Sequence, residues 1–221
     1  MFLIFFVLAL FPESAVWEKD FHSWSLEEAL SILNDSPWAR EQTATRVVGG
    51  IGSGIAGEKE IYERFYVRLL SARPIREAYA RADRLISNTE SVDPTAAKSA
   101  KDSLDLDTSD WIVVAVAFRS NDMSREQEVK RELQTQTTET MKTRAYLSTA
   151  RFPQVRIMAF FPALEDGVGA KFVFPRKING EAVVTAGDQN LIFELEMPGD
   201  MPDVRTTFKV REMMVKGELI L

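Results

Sequence analysis

The 221 residues are 45% hydrophobic, enough apolar material for one good core with at most a small appendage. A formal net charge of −6 leaves no large basic field for nucleic-acid phosphates, so nucleic acid is not an expected partner. The absence of cysteine and the single histidine exclude disulfides, thiol nucleophiles, cysteine zinc sites and most imidazole chemistry.

The chain opens with MFLIFFVLALFPESAV. As a helix, its apolar run from Phe2 to Phe11 covers about 15 Å, half of a hydrocarbon core of about 30 Å. That length fits the apolar centre of a signal peptide. No Lys or Arg precedes the run, and Glu13 stands where a small residue is preferred before cleavage after Ala15. Residues 1–15 are expected to be an export signal, with no stable membrane span after its removal. A buried or interfacial segment is the alternative.

Residues 17–45 read as a helical hairpin. Ser25 with Glu28 three positions on is a capping box, and the spacing predicts a helix from about Leu26 to Leu33. Leu26, Ala29, Leu30 and Leu33 form its apolar stripe. Asn34 to Pro37 stop it, and Ser36 with Pro37 reads as the start of a second short helix bearing Trp38.

Residues 46–59 are glycine-rich and read as a loop. Gly52, Gly54 and Gly57 match a dinucleotide-binding spacing, but no helix opens at them, and Glu77, about 20 residues on, lies inside a predicted helix. Glu60 to Leu70 alternates as a strand, with Phe65, Val67 and Leu69 opposite Arg64, Tyr66 and Arg68. The next predicted helix carries Pro74 near its start and buries Ile75, Ala78, Tyr79, Ala82 and Ile86. Arg64, Arg68, Arg73, Arg76, Arg81 and Arg84 form an arginine group. It is read as a solvated face with Glu77 and Asp83, although Arg68, Arg73 and Arg76 are candidate contacts for an anionic ligand.

Residues 87–110 form a polar linker. Asp105, Asp107 and Ser109 begin like a calcium loop, but positions six and twelve hold Asp110 and Val116 instead of Gly and Glu. Trp111 to Phe118, WIVVAVAF, is apolar on both faces and predicts a central strand. Ser124 is expected to cap a polar helix anchored by Val129, Leu133 and Met141. Residues 146–221 change to short β-rich runs. Asn179-Gly180 marks a hairpin, and Pro175 places its strand at an edge.

The predicted fold is α+β: a helical hairpin, two strand–helix units on a small sheet, and a C-terminal antiparallel meander or sandwich half within a 60–221 domain. No catalytic, metal or cofactor motif is present, and His22 reads as a packing or surface residue. Three functions stay open: a non-enzymatic interaction protein, a binder of small anionic molecules, and a carboxylate-dependent enzyme. Trp38 is a candidate contact in the first.

The segments SLEEALSILNDSPWA, VRLLSARPIREA, KFVFPR and FKVREMMVKGELIL together resemble a family of exported bacterial proteins grouped with GWxTD-domain proteins, although the pentapeptide itself is absent. The resemblance implies export to the periplasm or cell envelope, an envelope or protein partner, and a mixed α and β fold. It supplies no catalytic residues.

Overall fold

The structure is a computed structural model that describes residues 15–49, 58–87, 107–164 and 167–221. The expected export signal up to residue 14, the G-x-G-x-x-G stretch and most of the predicted polar linker, including Asp105, lie outside the described residues.

Helix α1, Leu26–Asn34, has the expected capping box: Ser25 accepts from Glu28 N, and the Glu28 carboxylate accepts from Ser25 N. Its buried face is Ala29, Ile32 and Leu33, whereas Leu26 and Leu30 are exposed. The stripe is therefore rotated from the predicted one towards Ile32. The second helix of the hairpin does not form. Ser36 bridges to Ala39 and the chain runs straight into strand β1, Ala39–Gly49. Ser36-Pro37 is thus a strand entry, because the chain at Ala39 gains a cross-strand partner in Arg68 that a short helix could not offer. The glycine-rich segment is likewise shorter than predicted, since residues 46–49 are strand.

Strand β2, Glu58–Leu69, pairs antiparallel with β1 along its whole length and leads into helix α2, Arg73–Ile86. In α2 the buried side is Pro74, Ile75, Glu77, Ala78 and Ala82; Ile86 is exposed. Strand β3, Trp111–Ser120, is the predicted central strand, and from Ile112 to Val116 every residue is buried. Helix α3, Met123–Thr135, is capped by Asp122, which accepts from both Ser124 N and Arg125 N, so Ser124 is not the cap. A carboxylate adds its charge to the positive helix end. The predicted anchors Val129, Leu133 and Met141 are all buried, Met141 in the one-turn helix α4, Thr138–Met141.

The remaining strands are β4 (Ala145–Ser148), β5 (Val155–Arg156), β6 (Ala159–Phe161), β7 (Ala170–Pro175), β8 (Lys177–Ile178), β9 (Glu181–Ala182), β10 (Asn190–Leu195), β11 (Val204–Lys209), β12 (Met214–Val215) and β13 (Glu218–Leu219). They do not form one meander. β6 and β7 join the first sheet, in the order β1-β2-β3-β7-β6, and the second sheet is β11-β10-β4-β5. Pro175 is accordingly not on an edge strand. It ends β7, beyond the stretch that β6 covers, where its missing N–H costs no ladder bond on that side. The hairpin at Asn179-Gly180 is present, with φ of 51° and 86° as its tight turn requires.

Cross-strand partners share a face, so the registers sort the five-stranded sheet into two sides. One side carries Phe65, Val67, Val114, Val116, Phe172 and Phe174. It faces the second sheet, where Phe193 meets Phe172 and Phe174 with ring centroids 5.5 and 6.2 Å apart. Arg68 lies on the other side and reaches Leu33 O of α1 and the Tyr79 hydroxyl of α2, so these helices cover that side. The α+β architecture is a two-sheet core with α1 and α2 on its outer face, while α3 reaches the inner face through Arg125 and Glu63.

Candidate functional site

The sequence-predicted contact residues do not converge. Trp38 is fully buried, stacks edge-on with Trp17 at 5.4 Å between centroids, and donates from Nε1 to Ile220 O at 2.6 Å. It therefore offers no surface to a partner. Arg68 is buried as a structural clamp: Nε donates to Leu33 O at 2.6 Å, Nη2 to Asn34 Oδ1 at 3.0 Å and Nη1 to the Tyr79 hydroxyl at 2.9 Å. Arg73 points to solvent and pairs with Glu77 at 2.7 Å. Arg76 is half-buried against backbone carbonyls, and Arg81 Nε donates to Trp24 O at 2.7 Å. The arginine group is thus mostly dispersed into helix–sheet fastening. His22 is exposed beside Asp20, 2.9 Å away, with no nucleophile among the described residues bonded to it.

A dense carboxylate cluster among the described residues is also structural. Glu63, buried on the inner face of β2, accepts from Arg125 Nε of α3 at 2.6 Å and from Arg46 Nη2 of β1 at 3.3 Å. Asp200 accepts from the same two arginines at 3.1 and 3.3 Å, and Glu128 from Arg125 at 2.9 Å. Burial pulls the Arg125 guanidinium down, and Glu63, Glu128 and Asp200 more than reverse this, holding it above its ordinary value. Its charge is fixed. Carboxylates committed to a buried cation cannot act as a free acid and base facing a substrate. Among the described residues no group of three or more acids and histidines is arranged to hold a metal.

An open groove of about 340 Å³ lies beside the last residues of β3. β3 runs on to Ser120, but its pairing with β7 ends at Val116 opposite Ala170. The chain before β7 passes Gly167 and Gly169, which makes room beside β3. Gly169 has φ +100° and comes so close to β3 that a Cβ there would lie 2.3 Å from Val116 O. Only glycine permits both. The groove is floored by Val116, Phe118 of β3 and Leu133 of α3, and walled by Ala163 and Leu164. Leu164 is 68% exposed, and Phe161 on the adjacent edge strand is 54% exposed.

The rim is polar. Arg119 Nη1 and Lys130 Nζ both bond Glu126 Oε1, at 3.1 and 2.5 Å. Burial pushes the Glu126 carboxyl up, but Lys130 and the Ser120 N–H outweigh it and keep it below its usual range. Among the described residues, two cations of the rim share the one Glu126 carboxylate. The sequence reading missed this groove. Its signal was available: two glycines just before a strand, opposite a helix with few but regular apolar anchors.

No family model, curated protein sequence or solved structure matches the chain. Among the described residues no helix is long and apolar enough to cross a membrane.

Proposed function

We propose that this chain is a non-enzymatic interaction protein that takes an apolar anchor of a partner protein into the groove between β3, α3 and the segment before β7. One observation carries the reading: an apolar-floored groove with Arg119 and Lys130 at its rim and an exposed leucine at its mouth, on a molecule whose other described ionic groups are largely tied to structure. Exposed apolar surface of this kind marks docking sites, and a charged rim selects the partner. The family resemblance of the sequence supports a location in the periplasm or cell envelope.

A photo-crosslinking residue at the exposed position Gln134, in the exported protein, tests this. A discrete protein adduct is expected, absent when the crosslinker stands at Thr45 and lost when Leu164→Asp is added. An adduct that survives Leu164→Asp contradicts the groove. Turnover in a broad hydrolase panel, abolished by replacing one Asp or Glu, contradicts the non-enzymatic reading.

A further inference from the structure

The groove meets main chain as well as side chains. Val116, Ala117, Phe118 and Arg119, four successive residues of β3, all line it. Neighbouring side chains of a strand point to opposite faces, so one groove that meets four in a row lies along the edge of the strand, where the peptide groups are.

The hydrogen bonds around β3 show which peptide groups turn to that edge. Leu69 N donates to Trp38 O at 2.8 Å, which turns the main chain of odd-numbered β2 residues towards β1 and of even-numbered ones towards β3. Arg64 and Tyr66 therefore exchange bonds with Arg119 and Ala117, and Phe118 between them is turned away from β2. On the far side Met158 N donates to Val173 O at 2.7 Å, so Val173 serves β6, while Phe172 and Ala170 serve Val114 and Val116. Phe118 continues that row beyond the last residue of β7 paired with β3. Among the described residues no hydrogen bond reaches its N–H or C=O from this side. Two positions on, Ser120 N donates to Glu126 Oε2 at 3.0 Å, a side chain standing where a strand would. Phe118 is 3% exposed although it lines the groove, so bulk water compensates its peptide group little.

We propose that the partner segment enters the groove as an extended strand, pairing with Phe118 and prolonging the sheet where β7 leaves it. This rests on the docking reading above. A strand residue opposite Phe118 offers one N–H and one C=O, the two partners that Phe118 lacks, whereas a helix uses its own internally. Strand side chains alternate, so every second side chain of the segment faces the apolar floor of Val116, Phe118 and Leu133.

Peptides selected on the immobilised chain from a random dodecapeptide library, then synthesised, are the probe. Peptides that bind at least about tenfold more weakly to Leu164→Asp report on the groove. Single N-methylation along such a peptide is expected to weaken binding at least about tenfold at one position, or at two positions two apart, with the residues between and beside them tolerant. Bound peptide is expected to slow hydrogen exchange of the Phe118 amide at least about tenfold and to leave that of Arg119, already paired with Arg64, unchanged. Leu164→Asp-sensitive peptides that tolerate N-methylation everywhere, that lose binding at consecutive positions as a helix would, or that leave Phe118 exchange unaltered overturn strand pairing while groove docking stands. A selection that yields no Leu164→Asp-sensitive peptide contradicts both.

Discussion

Trp38 and Ile220 are joined across 182 positions of sequence by a 2.6 Å hydrogen bond from the indole Nε1 to the Ile220 carbonyl. The bond clasps the start of β1 to the final residues described, and Trp17 packs on the same indole. Trp38→Ala should therefore cost about 3–5 kcal/mol in denaturant unfolding, as for other buried aromatics. Trp38→Phe keeps most of the apolar contact but orphans the carbonyl, and should cost about 1–3 kcal/mol. A loss under about 1 kcal/mol for Trp38→Ala would show that the indole contributes little packing.

The Glu63–Arg125 pair predicts a non-additive pattern. Glu63→Ala leaves a buried guanidinium against Asp200 and Glu128 only, both mostly exposed, and should cost about 3–5 kcal/mol. The double change Glu63→Leu with Arg125→Met should cost less than Glu63→Ala alone, because it removes both desolvated charges together. Equilibrium unfolding of the three chains checks this; a double variant less stable than Glu63→Ala contradicts it.

Asp188 gives a pH signature. Its carboxylate accepts from Arg151 Nη2 at 2.9 Å and from Thr185 N at 2.7 Å, and Arg151 first, with Thr185, holds its carboxyl below the usual range. A depressed folded value means that the stabilisation is complete above the unfolded value of about 3.9 and is lost as pH falls through the folded value beneath it. Asp188→Asn should lower stability at pH 7 by about 1.5–3 kcal/mol and flatten the acid-side loss below about pH 4. Melting temperatures from pH 2 to 7 that run parallel for both chains would contradict it.

Two glycines separate strain from collision. Gly180 has φ +86° with nothing within 4 Å of an added Cβ, so Gly180→Ala should cost only the left-handed penalty, about 1–2 kcal/mol. Gly169→Ala adds a clash with the β3 backbone to the same penalty and should cost clearly more, while distorting the groove. Thermal unfolding ranks the two; equal losses contradict the close approach at Gly169.

Local signals were legible where one interaction decides the outcome. Ser25 with Glu28, Asn179 with Gly180 and the doubly apolar WIVVAVAF each specify their structure within a few residues. Ser36-Pro37 was not legible, because the same residues open a helix or a strand, and the pairing of Ala39 with Arg68 that decides between them is 29 positions away. The assignment of β6 and β7 to the first sheet has the same cause: β7 pairs with β3, about 60 positions earlier, and β6 follows by pairing with β7, while alternation shows a half-buried strand without naming its neighbour. Arg68 looked solvated because charge runs usually are, whereas its carbonyl, amide and phenol acceptors come from two helices. The groove depends on where β3 outruns β7, which pairing register alone fixes.

The most direct measurement is the affinity of the purified partner, identified through the Gln134 adduct, for the wild-type chain and for Leu164→Asp and Lys130→Glu. Binding weakened at least about tenfold by each change, with Val47→Asp on the outer sheet face without effect, is the predicted result. Equal affinity for wild type and Leu164→Asp would contradict docking in the groove.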